Sequence, residues 1–374
     1  MQENSKQTYF ASANTSRGFV SYFATCFGGE GIARLYMIKG GPGTGKSRFL
    51  GDVATEATRR GWRAEYYACS SDPHSLDGVI LIHPSGERIA LADATPPHVM
   101  EPTLPGVRDV MVNLGDFWDR EKLAKNASRI RILSGYKQAC FERSYDYLRA
   151  AGNLLAVRDS LINPCVDAER FSRVVTKLTR GLGKGQGGAE RLGLCDCIGM
   201  QGVVHLGTYE QAAERLVVLS PFYGMELRVM QAIYEEARRR GCALWRAPHV
   251  LLPDKTAALY FPDTSLCMTV HPVQAAPGQE VHTVDLRRLC NPDALRGVRG
   301  EVRLAGRLAD SAIDAAAESF VRAGEYHFEL ESLYTAAMDF GAKERFTATF
   351  CDAVLIAQNF LTNSKNCDII IPKK

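Results

Sequence analysis

A glycine turn framed by a strand and a helix constrains this chain more than any other feature. The segment Arg34-Leu-Tyr-Met-Ile-Lys-Gly-Gly-Pro-Gly-Thr-Gly-Lys-Ser-Arg-Phe-Leu50 carries the pattern G-x-x-x-x-G-K-S from Gly40 to Ser47. Leu35–Ile38 is a short apolar run that reads as a buried strand. Arg48–Arg60 then places Phe49, Leu50, Val53, Ala54 and Ala57 at helical spacing, and Gly61 ends the helix. Strand, glycine loop and helix are the context in which this string forms a phosphate loop, and that context separates it from a chance turn.

Each residue type in the loop has a physical reason. Glycines let the backbone curl until successive N–H groups face phosphate oxygens, and the helix start adds its positive dipole end. Gly40, Gly41, Pro42, Gly43, Thr44, Gly45, Lys46, Ser47 and Arg48 are therefore the expected nucleotide-contacting segment. Lys46 is expected on the β- and γ-phosphates and the Ser47 hydroxyl on Mg²⁺. No N-K-x-D guanine motif stands in a suitable context, so ATP is the expected nucleotide.

Such a site also needs a carboxylate for the metal, at the end of a strand beside the loop strand. Arg88-Ile-Ala-Leu-Ala-Asp93 fits, which makes Asp93 the expected partner of Ser47 on Mg²⁺. Ala94 follows, so no glutamate stands at the position of a common hydrolytic base. A third strand, Arg63–Ala68, leads into Cys69-Ser-Ser-Asp-Pro-His-Ser-Leu-Asp77. Loops at strand C-termini face the ligand in parallel α/β sheets, which puts Asp72, His74 and Asp77 on the rim, with Thr95 and His98 from the next loop. Asp72 and His98 are the candidates to orient a nucleophile; turn-forming roles explain the same residue types equally well.

The chain reads as two copies of one unit. Arg34-Leu35 and Arg215-Leu216 open matching strands, and Glu56-Ala-Thr-Arg-Arg-Gly61 matches Glu236-Ala-Arg-Arg-Arg-Gly241. Gly18-Phe-Val matches Gly202-Val-Val, and Ser144–Phe171 matches Ser319–Phe346. The second copy has lost the phosphate chemistry. Ser220-Pro-Phe-Tyr-Gly-Met-Glu226 puts Met225 or Glu226 where the lysine belongs, and His271 falls where Asp93 would be. The fold expected is α/β: two tandem P-loop NTPase-type parallel-sheet domains with helical insertions. The first spans residues 1–180, a glycine-rich linker 181–192, and the degenerate copy 193–374. The linker reads as flexible, or as a loop delivering Lys184 or Arg191 to a phosphate. The helical stretches Glu121–Leu178 and Leu308–Gln358 read by default as a subdomain packed on its own core, with a lid or partner surface as the alternative.

Composition narrows the remainder. A length of 374 residues suits two domains, and a net charge of +3 is too small to argue for nucleic acid or an anionic membrane. No apolar run is long enough for a membrane span, and the N-terminus lacks the pattern of a secretory signal, so the cytoplasm is the expected compartment. The cysteines are scattered through apolar stretches and read as reduced core thiols. Cys195 and Cys197 form the one close pair, with His205 the only metal-binding neighbour in sequence.

These residues resemble a family of poorly characterised bacterial tandem P-loop ATPases. The likeness is carried by Phe10-Ala-Ser-Ala13, Gly40–Ser47, Ser70-Ser-Asp-Pro-His-Ser-Leu-Asp-Gly-Val79, Asp93-Ala-Thr-Pro-Pro-His98 and Asn113-Leu-Gly-Asp-Phe-Trp-Asp119. It spans most of the chain, is specific in the first half and faint in the second. It implies a tandem α/β architecture and ATP binding, and it alone brings in Asp116, Trp118 and Asp119; otherwise Asp116 reads as a helix N-cap. Both halves usually carry a phosphate loop in that family, and this chain departs by losing the second. The resulting expectation is a Mg²⁺-dependent ATPase with one working site. A small-molecule or nucleotide kinase and a nucleotide-gated binding module acting on an unknown partner are the alternatives.

Overall fold

A computed structural model describes residues 7–29, 31–183 and 188–356. Lys184, one of the two candidate loop cations, lies outside the described residues.

The first half runs β1 (Gln7–Phe10), the hairpin β2 (Ser12–Thr15) and β3 (Gly18–Ser21), α1 (Phe23–Phe27), β4 (Ile32–Lys39), α2 (Lys46–Arg59), β5 (Arg63–Ala68), β6 (Leu76–Ile82), β7 (Arg88–Asp93) and β8 (Asp109–Asn113), then α3 (Arg120–Lys125), α4 (Ala127–Ile162) and α5 (Ala168–Thr179). The second half repeats the order: β9 (Glu190–Leu192), the hairpin β10 (Asp196–Gly199) and β11 (Gly202–His205), α6 (Thr208–Ala212), β12 (Arg215–Leu219), α7 (Met225–Arg239), β13 (Leu244–Pro248), β14 (Thr256–Phe261), β15 (Leu266–Thr269) and β16 (Glu280–Val284), then α8 (Pro292–Thr335) and α9 (Phe340–Ile356).

Each half builds a six-stranded sheet. The orders are β1-β5-β6-β7-β4-β8 and β9-β13-β14-β15-β12-β16, and corresponding pairs have the same sense throughout. The sheets are mixed where a parallel one was expected. β6 runs antiparallel to both β5 and β7, as β14 does to β13 and β15. The cause is connection length. A turn in which Gly86 N donates to His83 O joins β6 to β7, too short for the crossover a parallel neighbour requires. Gly78 in β6 is set by close approach: a Cβ there would lie 2.4 Å from the Phe27 ring and 3.0 Å from the Leu91 carbonyl oxygen.

The compact units are not consecutive stretches of chain. One takes Ser21–Glu142 with the described residues of Met1–Ser12 and Ser319–Lys374; the other takes Ala13–Val20 and Arg143–Glu318. The boundaries fall inside α4 and α8, so each half's closing helix packs on the other half's sheet, not on a core of its own. In the first unit, Phe346, Phe350, Val354 and Leu355 of α9 join the core formed by Phe49, Leu50 and Val53 of α2 and by β4, β6 and β7. Phe350 and Val354 are fully buried there, contributing about 1.5–3 kcal/mol each. In the second unit, Phe171, Val174, Val175 and Leu178 of α5 pack against the core of α7. The β2–β3 hairpin also belongs to the second unit, where the Asn14 amide donates to the Ile198 carbonyl at 2.8 Å. Among the described residues, no helix is long and apolar enough to cross a membrane.

Candidate active site

In the first unit β4 ends at Lys39, the loop turns through Gly40–Gly45, and α2 begins at Lys46. Gly45 caps the helix at φ +73°, a left-handed conformation that disfavours any side chain. None of the amides of Gly41, Gly43, Thr44, Gly45 and Lys46 donates to a carbonyl or side chain among the described residues. Loop amides left over in this way are what an anion at a helix start requires. The buried Thr44 hydroxyl donates to Gly41 O at 2.9 Å and braces the curl from within.

Lys46 Nζ donates to the carbonyls of Gly40 and Gly41 at 2.9 and 3.0 Å and stands 3.5 Å from Asp93 Oδ2. Asp93 closes β7 and pairs in register with Ile38 of the loop strand. Its Oδ1 accepts hydrogen bonds from the amide and hydroxyl of Thr95, leaving Oδ2 towards Lys46. Ser47 Oγ accepts from Leu76 N at 2.8 Å, which ties the helix start to β6. Lys46, Ser47 and Asp93 are thus gathered at the C-terminal edge of the sheet. Arg48 is not: its side chain is exposed and faces Asp52 and Glu344 at 3.9 and 3.5 Å, because it sits on the outer side of α2.

The acid the strands place beside Asp93 is Asp77. Gly78 pairs with Ala92 across β6 and β7, and Asp77 lies one step further along, next to Asp93. Burial, and then the charge of Asp93, pushes Asp77 up to about 8. His98 lies beneath the rim, stacked on Phe23 at 4.5 Å with Nε2 3.2 Å from Asp77 Oδ2. Burial pushes it down to about 4, so the pair is neutral overall at neutral pH. Asp72 forms its own turn, accepting from His74 N at 3.3 Å. Of the rim residues expected from sequence, Asp77 and His98 lie together beside Asp93, and Asp72 forms the turn before β6.

This pair makes stability depend on pH. Asp77 has a folded value near 8 against 3.8 unfolded, so its contribution is full below the lower value and lost as pH rises through the higher. His98 has a folded value near 4 against 6.5, so its contribution is full above the higher value and lost as pH falls through the lower. Between about pH 6 and about pH 9, wild type is expected to lose on the order of a few kcal/mol relative to Asp77→Asn. Urea unfolding of both proteins across that range checks this, and parallel pH profiles would count against a buried, protonated Asp77.

Three further basic residues approach the phosphate loop. Lys137 of α4 is held below the ordinary lysine range by burial and then by Lys46. His327 of α8 is pushed down to about 4 by burial, then by Lys137 and Lys46. Lys343 of α9 is buried, with Nζ 4.0 Å from Asp52 Oδ2 and 3.7 Å from where a Cβ on Gly45 would lie. Sequence reading missed all three. They reach the loop from distant helices, and Lys343 arrives only through the helix exchange. The outer side of the loop meets Trp118 and Tyr334 at Gly41 and Thr335 at Gly43. The Trp118 indole N–H is buried with no hydrogen-bond partner among the described residues. Asn113 and Asp119, not Asp116, are the N-caps here, and Asp116 Oδ1 accepts from Asn113 Nδ2 at 2.8 Å.

The second unit shows the same turn without the chemistry. β12 ends at Leu219 and α7 begins at Met225, so Ser220–Gly224 is one residue shorter than the first loop. Gly224 takes the left-handed cap at φ +87°, Met225 stands in the place of Lys46, and Glu226 in that of Ser47. The Glu226 carboxylate accepts from Phe222 N at 2.8 Å, so a built-in anion occupies a loop amide. By register, Thr269 pairs with Val218 and Asp93 pairs with Ile38. β7 closes on Asp93 itself, whereas β15 closes on Thr269 and His271 lies two residues past the strand end. Arg191 lies over the Trp245 ring at 4.7 Å in this unit.

Comparison with family models, with curated proteins and with solved structures finds no match to this chain.

Proposed function

We propose that the first unit binds ATP with Mg²⁺ at Gly40–Ser47 and hydrolyses it, and that the second unit binds no nucleotide at its corresponding loop. The observation that carries this reading is the contrast between the two loops. One has unsatisfied amides, a lysine and a neighbouring strand-end carboxylate; the other is shorter and fills its amide with Glu226. The resemblance to bacterial tandem P-loop ATPases points the same way.

On this reading the loop amides and Lys46 hold the β- and γ-phosphates. Lys46 exchanges its contacts with the Gly40 and Gly41 carbonyls for phosphate oxygens. Lys137 adds positive charge, and its repulsion with Lys46 is relieved by a polyanion; His327, pushed down to about 4, is neutral beside them at neutral pH. Ser47 Oγ and Asp93 Oδ2 are the metal-holding oxygens, and Mg²⁺ supplies charge neutralisation at the β- and γ-phosphates. Asp77, raised to about 8, is suited to take a proton from an attacking water only in its ionised form, which gains population as pH rises above neutral, in place of Asp72 or His98.

Ala94 follows Asp93 and its carbonyl accepts from Lys39 Nζ at 2.7 Å, so the usual hydrolytic glutamate has no counterpart there. This favours slow turnover and a second reading, in which nucleotide occupancy gates a partner. Phosphate release from ATP by the full chain with Mg²⁺ and no other substrate tests the proposal. Steady Mg²⁺-dependent release supports hydrolysis; tight binding without release moves the reading to the gated module; absence of binding overturns it.

A further inference from the structure

The second unit carries a cluster that the phosphate chemistry does not use. Asp196 opens β10 and His205 closes β11, and the two are partners in register across the hairpin. Strand alternation turns Asp196 one way and the buried thiols of Cys195 and Cys197 the other. The close cysteine pair is therefore core, and the residue between them is the one with ligand chemistry. Asp196 Oδ1 lies 2.7 Å from His205 Nδ1, and Asp196 Oδ2 lies 3.1 Å from Nε2 of His271, which follows β15. The two imidazoles stack with centroids 3.9 Å apart. On the far side of His205, Nε2 is 3.4 Å from Oε1 of Glu210 in α6.

We propose that Asp196, His205 and His271 form a binding site for one divalent first-row transition ion of the zinc class, with Glu210 orienting His205. Three donor atoms, one from each residue, lie within 4.8 Å of one another, close enough to converge on a single ion. Two imidazoles and one carboxylate are a donor set that zinc and its neighbours accept; magnesium and calcium prefer oxygen alone. A carboxylate on the non-ligating nitrogen is the usual support for a ligating histidine, and here Glu210 is 3% exposed. Thr269 steadies the arrangement by accepting from His271 N at 3.1 Å. Asp196 is 2% exposed and faces the two imidazoles, and Glu210 has His205 and Thr269 beside it, so a divalent ion would add positive charge between two buried carboxylates. His205 and His271 keep 26% and 22% of their side chains exposed, which leaves an open face for a water or substrate. A metal with three protein ligands and an open position is the arrangement of a reactive site more than of a structural one.

The test uses the full chain, stripped with a chelator and titrated with Zn²⁺ alone by calorimetry, with Co²⁺ absorption as a second readout. One Zn²⁺ per chain is expected, along with visible Co²⁺ bands. His271→Gln, on a partly exposed side chain, and Asp196→Asn should abolish stoichiometric binding, while Glu210→Gln weakens it by about 10–100-fold. Circular dichroism confirms that each variant is folded. Cys69→Ser, which removes the thiol from the other ligand-like cluster of Cys69, Asp77 and His98, should leave Zn²⁺ binding unchanged. No stoichiometric uptake by wild type would overturn the assignment. So would uptake that survives in folded His271→Gln, or that is lost in Cys69→Ser.

Discussion

Lys46→Ala should weaken Mg²⁺–ATP binding by roughly ten- to a hundredfold, because a charge-assisted contact to phosphate is worth about 1.5–3 kcal/mol. The argument rests on position. Lys46 opens α2, lies among free loop amides, and donates to the two loop carbonyls it would leave on meeting phosphate. Lys137 stays behind, so some electrostatic attraction survives and the loss is one of precise engagement. Stability should change little. The mutation removes two hydrogen bonds to the Gly40 and Gly41 carbonyls, and it also relieves repulsion on Lys137. Titration with a fluorescent ATP analogue, alongside thermal unfolding, separates the two effects. Equal affinity in mutant and wild type would remove the phosphate loop from the account.

Asp93→Asn should lower turnover by roughly a hundredfold or more while leaving the protein folded. The substitution keeps the Oδ1 acceptor that holds the Thr95 amide and hydroxyl, and it removes the charge needed at Oδ2. The same change reaches Asp77. Part of the upward push on Asp77 comes from the charge of Asp93, so the asparagine variant should ionise Asp77 at lower pH and gain stability above neutral. Loss of turnover together with a gain in alkaline stability is a signature that general misfolding cannot produce. Turnover at the wild-type level in a folded Asp93→Asn protein would mean that the metal is held elsewhere.

What the sequence revealed was local. The strand before Gly40 and the helix after Ser47 follow from apolar spacing, and the reach from Ile38 to Asp93 needs only two neighbouring strands. The repeated Glu56-Arg60 and Glu236-Arg240 segments were legible because each is a self-contained arrangement. In both, one glutamate carboxylate binds the arginines three and four residues on. The antiparallel β6 was hidden because the Cys69–Ser75 turn before it reads as an active-site rim. The helix exchange was hidden more deeply. The apolar faces of α5 and α9 are visible in sequence, but nothing in their periodicity says which sheet they cover.

The same limit explains the site. Lys137, His327 and Lys343 are charged residues on long helices, indistinguishable in sequence from a solvated face. Asp196 and His271 are separated by 75 positions and meet only because β10–β11 and β15 end at one place. His271 was singled out by sequence for standing opposite the lost aspartate. It lies two residues past the end of β15, where it faces Asp196.

The number of nucleotides held per chain tests the central claim most directly. Equilibrium dialysis of the full chain with a slowly hydrolysed ATP analogue and Mg²⁺ should give one nucleotide per chain, and none with Lys46→Ala. Two per chain would contradict the loss of the second loop, and one per chain that survives Lys46→Ala would place the nucleotide away from Gly40–Ser47.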